Sequence, residues 1–87
     1  MTRGEAICQE FCEEVLVAEK IRNDSETLFR TVEEIKCVLE IPYFTGLVER
    51  MAEVGYCCTQ VQKSQALNKC YAWFEPARPD ISYEGGF

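Results

Sequence analysis

Two punctuation marks, Pro42 and Gly55, divide this chain more sharply than anything else in it. Proline lacks the amide that a helix interior needs and drives the preceding residue, Ile41, out of helical geometry, yet it suits the first position of a following helix. Glycine adopts the left-handed conformation that closes a helix. Between the two, Phe44, Leu47, Val48 and Met51 recur at spacings of three and four, which is the stripe of an amphipathic helix. The segments 56–61 and 66–74 are rich in aromatic and β-branched residues and predict two strands. Their polar tip, 62–65, has no glycine, so a looser loop is expected rather than a tight hairpin turn.

Upstream, Ile7, Cys8, Phe11, Cys12, Val15 and Ala18 repeat at helical spacing and predict a first helix over 5–22. Leu16 and Val17 widen its apolar arc, as if a tail or a second subunit covered it. Asn23-Asp24-Ser25 reads as a turn. Residues 27–30 fit either a brief strand or the start of the next helix. Thr31 with Glu34 forms a capping box, in which the threonine oxygen accepts from the third helical amide and the glutamate reaches back. That second helix is expected to run to Glu40 and bury Val32, Ile35, Val38 and Leu39. The last stretch, 75–87, carries two prolines and two glycines and reads as a flexible tail, with Ile81, Tyr83 and Phe87 available as anchors.

The expected fold class is therefore α+β, mainly α: three helices, then a β-hairpin, in one domain over 1–74 with a tail at 75–87. With 87 residues, the chain buries only about 60–65% of its unfolded surface, so its core is thin. No apolar run reaches the roughly 18–20 residues that span a bilayer, and acids interrupt the first apolar stretch, unlike a signal peptide. A cytoplasmic location is the expectation. Six cysteines without a secretion signal read mostly as small buried hydrophobes in a reducing compartment. A hairpin symmetric about Lys63-Ser64 would set Cys57 opposite Cys70, within reach of a disulfide. There is no C-x2-C spacing and no histidine, so neither a metal nor another cofactor is expected.

The pattern T-V-E-E-I, then I-x5-L-V-E-R-M-x3-G-Y, from Thr31 to Tyr56, resembles small winged helix-turn-helix regulators, and with the hairpin the resemblance covers 27–74. It implies duplex DNA as partner, with the third helix in the major groove and the wing on phosphates. On that reading Arg50 contacts guanine, Thr45 a base or phosphate and Tyr43 the backbone, while Lys63 and Lys69 neutralise phosphates. The function implied is that of a non-enzymatic transcription regulator, active as a monomer or a homodimer.

Charge supplies a rival reading. Residues 1–41 carry a net −5, 42–74 a net +1 and 75–87 a net −2, for −6 in all. Only the helix-and-hairpin part escapes being negative, and Glu49 and Glu53 sit on its reading helix. Glu5, Glu10, Glu13, Glu14 and Glu19 offer carboxylates where phosphates would lie in a basic groove. They suit an acidic module that binds a basic protein, such as a phage-encoded inhibitor of a host nucleic-acid enzyme. Catalysis is not expected: there is no histidine to act as a base near neutral pH, and Cys70 and its neighbour Lys69 would point to opposite faces of a strand.

Overall fold

A computed structural model describes residues 2–24 and 28–77. The element order is α1 (Arg3–Phe11), β1 (Glu14–Asp24), β2 (Leu28–Glu40), a 3-10 turn (Ile41–Tyr43), α2 (Phe44–Glu53), β3 (Tyr56–Ser64) and β4 (Lys69–Pro76). The strands form one antiparallel sheet in the order β1-β2-β4-β3. Both helices lie on one face of it.

The three-helix winged arrangement is thus overturned. Residues 31–40, read as the second helix of a helix-turn-helix, are β2, and the Thr31–Glu34 capping box does not form. The helical spacing of Val32, Ile35, Val38 and Leu39 competes with a period of two once Cys37 counts as apolar. Ile35, Cys37 and Leu39 then share one face, and all three are buried there. Residues 28–30 also belong to β2. The first helix stops at Phe11 instead of reaching residue 22, and Cys12 is already extended. The amide of Glu13 donates to the carbonyl of Val38 at 2.9 Å, so pairing with β2 takes over the backbone. Val15, Val17 and Ile21 add β-branched residues that favour the strand.

The second half follows its punctuation. Ile41 opens the 3-10 turn with Pro42 second in it, α2 follows, and Gly55 at φ 91° ends it, its amide donating to the Ala52 carbonyl at 3.1 Å. The hairpin forms, but its turn falls at 65–68, not 62–65, with Asn68 left-handed at φ 55°. The register shifts at Thr59, between Cys58 and Gln60, as an inserted residue does in a bulge. Cys57 therefore faces Glu75 and Cys70 faces Lys63, so the expected cross-strand thiol pair is not formed. β4 also claims Glu75 and Pro76 from the supposed tail; Ile81, Tyr83 and Phe87 lie outside the described residues.

The core lies between helices and sheet. Ile7 and Cys8 of α1 and Leu47 and Met51 of α2 close over Ile35, Cys37 and Leu39 of β2 and Cys70, Ala72 and Phe74 of β4. Each large side chain buried there stabilises the fold by about 1.5–3 kcal/mol. Gly4 lets α1 approach the sheet, because a Cβ at that position would fall 2.6 Å from Tyr56 Cζ. The Tyr56 hydroxyl in turn donates to Glu33. Thr2 caps α1, its hydroxyl oxygen accepting from the Glu5 amide at 3.1 Å.

Beyond this core the sheet narrows. The β1–β2 ladder runs from Glu14↔Val38 to Asp24↔Leu28, whereas the β2–β4 ladder covers only Ile35↔Phe74 to Glu40↔Lys69. From Ala18↔Glu34 outward, β1 and β2 form a two-stranded arm.

Candidate interaction surface

The residues expected to touch DNA are not free cations on a common face. Arg50 lies 3.6 Å from a Glu10 carboxylate oxygen and 3.8 Å from one of Glu53. Lys69 donates to Glu13, and this pairing raises its pKa above the usual lysine value. Lys63 sits over the Phe44 ring, 5.2 Å from its centroid. Tyr43 and Thr45 are exposed near the start of α2. Each cation of the set thus already has an internal partner, and a phosphate would have to compete with it.

The acidic set divides. Glu10 and Glu13 are the partners of Arg50 and Lys69. Glu5, Glu14 and Glu19 have no cation within ion-pair distance among the described residues. Glu14 and Glu19 stand on β1, not on a helix, so they point to opposite faces of the sheet. The carboxylates consequently do not form one helical stripe; two of the uncompensated ones flank an edge strand.

That edge carries the signal missed in the sequence. Along β1, Leu16 is 60% exposed, Val17 40% and Ile21 72%. Leu16 and Val17 stood out as an unusually wide apolar arc, but a helical reading assigned them a cover instead of an open edge. Its one described lysine is turned away from the edge: Lys20 reaches across the sheet to Glu34 at 3.7 Å and to the buried Glu75 at 3.8 Å. β3, the other edge, is mostly polar and broken by its bulge.

The face of the sheet away from the helices carries Val38, Tyr71 and Trp73, all half-buried, with Lys36 over the Trp73 ring at 5.4 Å. On the other side of the sheet, Cys8, Cys12 and Cys37 gather where the end of α1 meets β2. Cys8 Sγ lies 3.8 Å from Met51 Sδ, and Cys37 Sγ donates to the Ala72 carbonyl at 3.7 Å. Hydrogen bonding among the thiols, first with Cys12 and then with Cys37, pulls the Cys8 thiol below its ordinary value. The bond with Cys37 eases ionisation of Cys12, but its bond with Cys8, burial and neighbouring sulfur charge push it up to about 12. Cys37 is pushed up by its bonds to Cys12 and Cys8 and by burial. Among the described residues no group of three or more potential ligands is arranged to hold a metal ion, and all six thiols are unpaired. No helix among them is long and apolar enough to cross a membrane.

Neither a family model nor a curated protein nor a solved structure matches this chain.

Proposed function

We propose that this chain is an acidic protein-binding module whose partner presents basic side chains. The observation that carries this reading is the asymmetry of compensation. Arg50, Lys63 and Lys69 are each engaged inside the chain, while Glu5, Glu14 and Glu19 have no cation partner among the described residues. Binding to a polyanion draws most of its free energy from cations that neutralise phosphates, and here those cations would first have to leave their partners. A basic surface meets no such cost at Glu14 and Glu19. With a net charge of −6, encounter with a basic partner is also favoured over encounter with nucleic acid.

The test is a pair of titrations at low salt, one with labelled duplex DNA and one with a labelled lysine-rich peptide. The peptide is expected to bind with an affinity that falls as salt rises, and to weaken when Glu14→Gln and Glu19→Gln are combined. DNA is expected to give no saturable signal. Saturable DNA binding that is lost in Arg50→Ala or Lys63→Ala would reverse the assignment.

A further inference from the structure

We infer that β1 is a docking edge that takes an extended, alternating basic–apolar segment of another protein as a fifth strand. The inference rests on the acidic-module reading and specifies how such a module would hold its partner. An edge strand presents a row of backbone N–H and C=O groups that any extended peptide can pair with, and folded proteins usually blunt such edges. Bulges, prolines and charges on the edge are the common devices. β3 has its bulge at Thr59 and a polar exterior. β1 has neither bulge nor proline: its register with β2 is unbroken over eleven residues, and Lys20 is drawn across the sheet, while Glu14 and Glu19 have no cation partner among the described residues. Leu16, Val17 and Ile21 stand exposed along it.

The arm gives this edge a reason to be filled. A two-stranded ribbon is marginal in water, and a third strand is generally needed for independent stability. Past Ile35 the β2–β4 ladder ends, so the outer part of β1 and β2 lacks that third strand. A strand added to β1 supplies it, pairs the free backbone groups and covers Val17 and Ile21 on one face and Leu16 on the other.

Charge selects the occupant. Glu14 and Glu19 on opposite faces call for lysine or arginine on both faces of the incoming strand, interleaved with apolar residues. A second copy of this chain would instead bring its own Glu14 and Glu19 to the junction. Nucleic acid has no strand geometry with which to pair the edge.

The probe is a synthetic peptide of β1's length that alternates valine and lysine in pairs, together with a version N-methylated along one backbone edge. Binding is followed by fluorescence anisotropy and by amide hydrogen exchange of the whole chain. Antiparallel pairing directs alternate amides outward, so added protection at every second residue of β1 is the expected signature. N-methylation should abolish binding, and each of Glu14→Gln and Glu19→Gln should weaken it by about twofold to fivefold, as an exposed ion pair does. Should the peptide bind without protecting β1, or should N-methylation make no difference, strand addition is overturned while the acidic-module reading stands. Protection at β3 would overturn it equally. Concentration-dependent protection of β1 with no peptide present would hand the edge to a second copy. Absence of binding by any lysine-containing peptide would remove both readings together.

Discussion

The body of this molecule and its β-arm are built from the same two strands but held by different means. In the body, β2 has a neighbour on each side and two helices above it, and Ile35, Cys37 and Leu39 are sealed. In the arm, the ladder joins β1 and β2 only to each other. Side-chain contacts from Lys20 to Glu75 and from Glu33 to Tyr56 tie the arm's base to the body, and Ile21 is 72% exposed. Burial therefore stabilises one half of each strand, and backbone pairing must sustain the other. What separates them is the point where β4 leaves the ladder at Phe74. A region with few buried apolar contacts opens locally at low cost, and such regions are where partners are commonly engaged.

The largest effect is expected in the body. Phe74 is the largest fully buried side chain among the described residues and the last β4 residue in the ladder with β2. Phe74→Ala should cost about 3–5 kcal/mol, from lost transfer energy plus the cavity left behind. A domain of this size holds only on the order of 5–10 kcal/mol in total, so the urea midpoint should fall by roughly half or more. A loss below about 1 kcal/mol would mean that the body is not sealed as described.

How much of this contrast the sequence reveals depends on where local signals are decisive. Pro42 and Gly55 act through backbone geometry alone, and the helix between them stands where they put it. Residues 31–40 carry both a helical and a strand period, and only the presence of β4 beside them and helices above them selects the strand. The strand reading was available in Ile35-Cys37-Leu39, provided that cysteine is counted as a hydrophobe. The hairpin's alternation was visible, but the bulge at Thr59 was not. The turn at 65–68, three residues later than expected, moves Cys57 away from Cys70, and the bulge shifts it by one position, onto Glu75. The acids are plain in the sequence, but a single helical stripe of them requires a helix that continues past Phe11, where α1 ends. The site's apolar part was visible only as an excess at Leu16 and Val17.

An intermediate effect distinguishes the halves by pH. Burial pushes the Cys70 thiol up, with Lys63 partly opposing it, and Cys37 is raised by its thiol neighbours and by burial. An acid kept neutral by folding retains its proton after the unfolded chain has lost its own. Stability is then full below the ordinary thiol value of 9.0 and declines as pH rises past it. Cys8, shifted the other way, is ionised in both states above that value and adds no slope there. By about pH 10 the body should lose about 1–3 kcal/mol. Replacing Cys37 and Cys70 by alanine should lessen the decline measured by urea titration at a series of pH values, with Cys12, also pushed up, accounting for part of what remains. The arm contains no cysteine between Ala18 and Glu34, so its exchange rates, corrected for intrinsic pH dependence, should not follow the same curve.

The smallest effect is expected at the tip of the contrast. Ile21→Ser removes a large apolar side chain, but one that is 72% exposed, so little burial is lost. Global stability should change by no more than about 0.5 kcal/mol, against several for the sealed Phe74. Some β propensity is also lost, and it acts only on the ribbon, so amides of β1 and β2 in the arm should exchange severalfold faster while those of 35–40 stay unchanged. Equal acceleration in both regions would show that arm and body open as one unit. A large loss of global stability would be more damaging still, because it would place Ile21 under a cover and close the edge on which the binding proposal depends.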